Sequence, residues 1–292
     1  MKKSDNSQER ESASESEAIV PFLKWPGGKR WLANSLSVIL RHELSGTYYE
    51  PFIGGGAVFL SLQPERAILC DANPALIDCL RTSSRKPETV LRALWRWTNT
   101  AECYYQVRNL NPRKETTKAA KFIYLSRTCW GGIYRVNRQG KFNVPFGNSG
   151  RTICHAKEFI LAAKVFKNAE LLSSDFEFVI EQAGEGDVVY ADPPYTTLGQ
   201  NNGFARYNEH LFAWKDQERL AVCCRRAKKR GAFVAISGLW HETVLSLYSG
   251  WWAIRSERMS TVSRVADGRR MISEAVIFSR KPLSENDQVV RL

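Results

Sequence analysis

Residues 186–195 read Gly-Asp-Val-Val-Tyr-Ala-Asp-Pro-Pro-Tyr, and this stretch orders the rest of the chain. From Asp187 to Ala191 the run is mostly apolar and carries β-branched Val188 and Val189, the composition of a buried strand. It stops at Asp192-Pro193-Pro194-Tyr195. Prolines lack the N–H that a central strand contributes to its ladder, so the chain must leave the sheet there as a stiff loop. A carboxylate, fixed backbone carbonyls and an aromatic ring are thereby presented at a strand's carboxyl end, where open α/β sheets bind ligands. A surface Pro-Pro turn is the plain alternative. The chemical reading is sharper. An exocyclic amino group on a heteroaromatic ring is a poor nucleophile, because its lone pair is delocalised into the ring. If Asp192 and the Pro193 carbonyl accept its two N–H bonds, a pyramidal nitrogen is favoured and its lone pair becomes available. Tyr195 can stack on the ring and hold it in place.

Working outward, Tyr48–Phe59 reads as a strand, a glycine loop (Gly54, Gly55, Gly56) and the start of a helix. Glycines allow positive φ and close backbone approach to a bulky ligand. Ala67–Cys70 is a second strand ending at Asp71, fifteen positions past Gly56. Nucleoside-binding βαβ units place a ribose-holding acid at about that point, so the pair suggests an adenosine-containing cofactor. Before it, Phe22–Lys29 (F-L-K-W-P-G-G-K) is a tight entry to a helix running to about His42, with Trp31, Leu32, Leu36 and Ile39 on its apolar face. That entry brings backbone amides and Lys29 towards whatever is bound.

Downstream, Leu171–Phe176 is a short strand with Asp175 near its end, followed by the strand before Asp192. A helix is predicted over Asn208 to about Arg230 with Leu211, Leu220 and Val222 in the core, then a strand at Ala232–Ile236 and a short helix at His241–Tyr248. Trp252–Ile254 and Ala275–Phe278 close as strands, and Thr196–Tyr207 and Ser256–Arg270 read as polar loops. The fold class is α/β.

The chain has 292 residues and a net charge of +12. Between Cys103 and Ala169 stand thirteen Lys or Arg against two acids, Glu115 and Glu158, so nearly all the excess sits in one segment. A solvated face is the ordinary explanation of a basic run; a one-signed block interleaved with aromatics marks a polyanion-binding surface. Within it, Gly131–Val144 alternates around an Arg138-Gln139-Gly140 turn and predicts a β-hairpin carrying Arg135, Asn137 and Arg138. Arg and Asn are the side chains that read guanine and adenine edges by paired hydrogen bonds. Seven cysteines without C-x-x-C spacing and four scattered histidines indicate neither a disulfide framework nor a metal site. With no apolar run of membrane-span length and no signal-peptide pattern, a cytosolic protein is expected. Met1 to Ala18 is too polar to bury and is expected to be disordered.

The sequence resembles the DNA adenine methyltransferase (Dam) family, the D12 class of N6-adenine-specific DNA methyltransferases. F-L-K-W-P-G-G-K (22–29), E-P-F-I-G-G-G-A-V-F (50–59), D-A-N (71–73), G-K-F-N-V-P-F-G (140–147) and D-P-P-Y (192–195) carry the resemblance, in the family's order. It implies a Rossmann-like methyltransferase sheet (19–74 and 170–280) dependent on S-adenosylmethionine, interrupted by a helical, basic target-recognition insert (75–169), with tails at 1–18 and 281–292. It implies cofactor contacts from Trp25, Lys29, Phe52, Gly54, Asp71, Asp175 and Asp192, and catalysis by Asp192, Pro193, Pro194 and Tyr195 on a flipped-out adenine. It implies double-stranded DNA as partner, met by Lys24, Arg135, Asn137 and Arg138, in a bacterial or phage protein acting as a monomer without metal or membrane. Gly132-Ile133-Tyr134 departs from the asparagine-leucine-cysteine type of sequence found before the hairpin arginine in GATC-modifying members, and Ser149 stands where an aromatic is common. The recognition sequence is therefore the open part of the reading.

Other classes fit less of the chain. RNA or protein-amide methylation would use a similar Pro-Pro-Tyr loop, but the basic insert argues against the amide and the hairpin against RNA. A DNA-binding protein without catalysis leaves Asp192, Tyr195 and Asp71 unexplained. A nicotinamide-dependent oxidoreductase would account for the glycine loop and Asp71 alone.

Overall fold

A computed structural model describes residues 18–137, 139–147, 152–196, 212–259, 271–283 and 289–292. Arg138, Ser149, Leu211, most of the segments expected as loops at 196–207 and 256–270, and nearly all of the N-terminal tail lie outside the described residues. The described strands form one eight-stranded sheet. They are β1 (Tyr48–Glu50), β2 (Ala67–Asp71), β3 (Ala169–Ser173), β4 (Val188–Ala191), β5 (Phe233–Leu239), β6 (Trp252–Met259), β7 (Met271–Phe278) and β8 (Val289–Arg291). Their order is β3-β2-β1-β4-β5-β7-β6-β8. The first five run parallel, and β7 is antiparallel to both β5 and β6. The chain winds outward from β1 through β2 to β3, then returns to lay β4 on the other side of β1. That reversal is a topological switch point, and the carboxyl ends of β1 and β4 flank the crevice it creates.

The buried run of β4 alternates between two cores. Val188 and Tyr190 face one, with Tyr48, Leu69, Phe233 and Phe278. Val189 and Ala191 face the other, with Tyr49, Cys70, Val234 and Ile277. A parallel strand covered on both faces has to be apolar throughout, which is why no polar alternation shows in 188–191. Helices α1 (Arg30–Glu43) and α2 (Ala57–Leu62) supply buried residues to the first core.

Between β2 and β3 come α3 (Pro74–Arg85), α4 (Pro87–Leu94), α5 (Ala101–Asn109), α6 (Glu115–Thr128) and α7 (Ala156–Val165). Asn73 starts α3 by accepting the amides of Ala75 and Leu76, with Pro74 supplying the preset φ of a first helical residue. Tyr104, Tyr124, Phe159 and Phe166 from this segment join the same core as the sheet face. The second core is closed by α8 (Phe176–Ile180), α9 (Trp214–Lys229) and α10 (Glu242–Ser246).

Several sequence expectations shift. In α1, Leu32, Leu36, Ile39 and Leu40 are buried while Trp31 stands 43% exposed, and in α9 Val222 is 41% exposed beside buried Ala221 and Cys223. Each lies about 100° round the helix from a buried neighbour, so bulk and apolarity alone mislead about phase. The helix expected from Asn208 begins at Trp214, where Asp216 caps the Ala213 amide. The strand expected over Leu171–Phe176 runs from Ala169 to Ser173, and Asp175 caps α8 instead. Strand β6 extends into the segment read as a polar loop and β7 begins at Met271, before the expected Ala275, with the two pairing from Trp252↔Phe278 to Met259↔Met271.

Candidate active site

Where β4 ends, Asp192-Pro193-Pro194-Tyr195 leaves the sheet at the switch point. Lys29, the residue before α1, reaches into the same place. Its ammonium lies 2.8 and 3.0 Å from the two oxygens of Asp192 and donates to the Gly27 carbonyl at 2.8 Å. A lysine side chain with 3% of its surface exposed needs such partners, because an unpaired buried ammonium is costly. The same ammonium sits 4.8 Å from the centroid of the Tyr195 ring. The Tyr195 hydroxyl donates to Glu274 Oε2 at 2.8 Å, and that oxygen is 3.9 Å from the Lys29 nitrogen. Gln217 of α9 donates to the Pro194 carbonyl at 3.3 Å and to the Thr196 hydroxyl at 3.2 Å. The loop is thus held from α1, β7 and α9 at once.

Electrostatics around the loop are those of a low-dielectric pocket. Burial, then nearby Asp192 and Glu274, push the Tyr195 phenol well above its ordinary pKa, which keeps it a neutral donor. Glu50, at the end of β1, is buried and raised well above the usual carboxylate range by desolvation, despite the Tyr48 hydroxyl it accepts at 2.8 Å.

On the other side of β1, Asp71 ends β2. Its Oδ2 accepts the Gly54 amide at 3.2 Å and its Oδ1 the Asn73 amide at 2.9 Å. Protein packed around it raises its carboxyl to about 6, outweighing those two bonds, while part of its surface stays open. A carboxylate has about four lone-pair sites, so two remain for donors from a ligand, a fit to the vicinal hydroxyls of a ribose. Gly54 has φ +47, and a Cβ there would lie 2.8 Å from the Trp25 indole. Trp25 in turn stacks on Phe122 (6.1 Å) and Tyr134 (5.9 Å), so the glycine loop abuts the helical segment through one indole. The Phe52 ring packs 5.4 Å from Phe176 and 5.5 Å from Phe212. Asp175, beside the Phe176 that packs on Phe52, pairs its carboxylate with Arg219 through two bonds of 2.8 Å, which lower its pKa.

The basic hairpin forms. Val136 bridges Phe142, the Asn137 amide donates to Lys141 at 2.8 Å, and Gly140 takes φ +73 at the turn. Arg135 is exposed, with Nε donating to Asn143 at 2.8 Å. Asn137 Oδ1 accepts the amides of Gln139 and Lys141, each at 3.0 Å, so the side chain builds the turn that presents Arg135. Reading adenine with both amide atoms requires that oxygen to leave the turn. Exposed Lys24 runs its stem over Gly132 (φ +71), where a Cβ would meet it at 2.6 Å.

Glu274 and Gln217 were missed by sequence reasoning. A glutamate directly before the apolar strand residues Ala275–Phe278 was the available signal for the first; nothing local marks the second. Among the described residues Glu177, Glu181 and Cys223 gather metal-ligand atoms within 4.8 Å of one another. Both carboxylates are already paired, with Arg219, Arg226 and Arg230, and the group ties α8 to α9 as an ion-pair ladder.

A model of the D12 class N6 adenine-specific DNA methyltransferases matches residues 25–262. The type II methyltransferase M1.LlaDCHI of Lactococcus lactis subsp. cremoris is 32% identical over 268 residues, covering 88% of this chain and 94% of its own. The DNA adenine methylase of Vibrio cholerae is 31% identical over 273 residues, 90% of this chain and 97% of its own. That of Escherichia coli (strain K12) is 34% identical over 232 residues, 77% and 82% of the two chains. A family match across β1 to β6, the switch-point loop and the helical segment, with relatives aligned over most of their length, assigns the activity: the chain belongs to the D12 class of N6 adenine-specific DNA methyltransferases.

Proposed function

We propose that the protein transfers the methyl group of S-adenosylmethionine to N6 of an adenine turned out of a short, GATC-like duplex site. The single observation that carries this reading is the seating of Asp192 and Tyr195 at the switch point, a strand away from Asp71. Asp71 would hold the ribose hydroxyls, with Gly54 and Trp25 shaping the wall beside them. Phe52 would supply an apolar surface. The bound cofactor contributes an electrophilic methyl on a sulfonium, so no covalent enzyme intermediate is called for. The enzyme's part is positioning and electrostatics. Lys29 gives the pocket one positive charge against the carboxylates of Asp192 and Glu274, a balance that leaves room for a sulfonium.

Asp192 would accept one N–H of the target amino group and the Pro193 carbonyl the other. Both orient the nitrogen lone pair and exclude water from it. Tyr195 would stack on the base, paying part of the cost of leaving the helix. Residues 75–169, with the hairpin, act as the target-recognition insert, and 19–74 with 170–280 as the catalytic part. In that insert Arg135 keeps guanidinium donors beyond the one given to Asn143, and it is the residue best placed to read a guanine. Lys24 would meet the backbone.

The test is methylation-aware long-read sequencing of DNA from cells expressing the protein, beside an Asp192→Ala control. One N6-methyladenine motif absent from the control is expected, and it also supplies the recognition sequence. Purified Asp192→Ala should still bind duplex DNA. Equal loss of binding and methylation would remove the catalytic role given to Asp192.

A further inference from the structure

We infer that Glu274 is a positioning residue for methyl transfer, acting through the Tyr195 hydroxyl. The inference rests on the proposed stacking role of Tyr195. Glu274 lies in the middle of the sheet, with β7 paired to β5 at Leu239↔Glu274 and to β6 at Ser256↔Glu274. Only 2% of its surface is exposed. Its neighbours along β7, Ala275 to Phe278, are buried and apolar. A carboxylate placed there needs a purpose or a set of partners, because burying one without them is strongly unfavourable. Its partners include two of the groups that define the site: the Tyr195 phenol at 2.8 Å and the Lys29 ammonium at 3.9 Å.

The geometry says what this does. A Tyr ring at the end of a Pro-Pro loop is fixed at its backbone and free to swing about two side-chain torsions. Bonding the hydroxyl to a residue of a central strand pins the far end of the ring, so both ends of the stacking surface are set by the sheet. Lys29, shared between Asp192 and Glu274, ties the ring's anchor to the carboxylate that meets the amino group. A stacked base whose amino nitrogen must point along one line at a methyl tolerates little tilt, and a misplacement of about 1 Å is enough to lose about 100-fold in rate. The anchor is thus a device for orientation, with little bearing on whether DNA binds.

The experiment is single-turnover methylation of a duplex carrying the enzyme's own site, at saturating S-adenosylmethionine. It compares the wild type with Glu274→Ala, Glu274→Gln, Tyr195→Phe and the Glu274→Ala/Tyr195→Phe double variant. Removing one hydrogen bond to a carboxylate is expected to lower the transfer rate about 10- to 100-fold. DNA and cofactor dissociation constants should change by less than about threefold. Glu274→Gln keeps an acceptor for the phenol and should recover at least about tenfold of that loss. The double variant should be no slower than Glu274→Ala, because both changes remove the same bond. A transfer rate within about threefold of wild type in either Glu274→Ala or Tyr195→Phe would overturn the inference, as would additive losses in the double variant. If Glu274→Ala fails to fold, Tyr195→Phe and Glu274→Gln carry the same comparison. Asp192→Ala separates the two readings. Full activity there would bring down the site assignment itself, whereas its inactivity beside a fully active Tyr195→Phe brings down the anchor alone.

Discussion

Cofactor affinity should fall with acidification, and Asp71 says where. Its carboxyl is raised to about 6 in the free protein by the packing around it. Hydroxyl donors stabilise the ionised form, so a ribose bound there lowers that pKa. The sign follows: ligand binds the deprotonated protein better, and below about pH 6 binding must expel a proton. If the bound value drops well below the assay range, the apparent dissociation constant rises about 1.1-fold at pH 7, about twofold at pH 6 and about 11-fold at pH 5. The assay is isothermal titration calorimetry across that range in buffers of different ionisation heat, which also counts the proton released. The ligand's amino group titrates on the alkaline side, so 5′-methylthioadenosine, which keeps ribose and base without the amino-acid end, serves as the control probe. Asp71→Asn should bind about 10- to 150-fold more weakly at neutral pH, from the loss of charge-assisted bonds, and its profile should be flat.

Folding responds to the same group with the opposite sign. The native carboxyl holds its proton more tightly than the unfolded chain does. Its contribution to stability is therefore complete below the unfolded value of about 4 and is lost as pH rises through about 6. Acid unfolding through Asp71 cannot then be the cause of the weaker binding. A wild-type affinity that stays level from about pH 5 to pH 8, or a slope that persists in Asp71→Asn, would refute the assignment of this carboxylate to the ribose.

Arg135→Ala should redirect or relax site choice, read as a changed methylation motif on a mixed-sequence substrate; a uniform loss across all sites would make it a phosphate contact. Glu50→Gln should cost less than about 1 kcal/mol in urea unfolding, because burial already favours the protonated acid, whereas Tyr48→Phe should cost about 1–3 kcal/mol by removing the hydroxyl donor and leaving the acid only its backbone bond at Phe59. If the two changes cost the same, Glu50 is held as an anion. Gly54→Ala forces a side chain into the left-handed region and onto an indole clamped by Phe122 and Tyr134; a cofactor dissociation constant raised about tenfold or more is expected, and an unchanged one would show that the loop can retreat.

What could be read from the chain in advance follows from how far each signal reaches. The strand ends at Asp71 and Asp192 are marked by neighbours a few residues away, since glycine and proline change the backbone wherever they stand. The hairpin was equally local, and it forms. Helix phase was less secure: Trp31 and Val222 are apolar and adjacent to buried positions, and only the packed structure shows that the core takes the neighbour. Strand length failed in the other direction. Arg255, Ser256 and Glu257 look like loop residues, yet they sit on β6, where pairing with β7 satisfies the backbone and the charged side chains face out.

The groups that complete the site come from farther off. Glu274 meets Tyr195 across 79 positions and Gln217 meets Pro194 across 23. Neither distance is set by any local preference; both follow from β7 inserting between β5 and β6 and from α9 packing against β5 and α8 beside the loop that leaves β4. Local motifs therefore name the groups proposed to meet ligand, while the supports that hold them still are written in the topology. The reverse case is Asn137, which matches the family's hairpin and spends its carbonyl oxygen on the turn. A motif match identifies a position, and the bonds already made there decide which of its atoms remain for DNA. On that ground Arg135, with donors left over, is the position at which specificity in this enzyme is best sought.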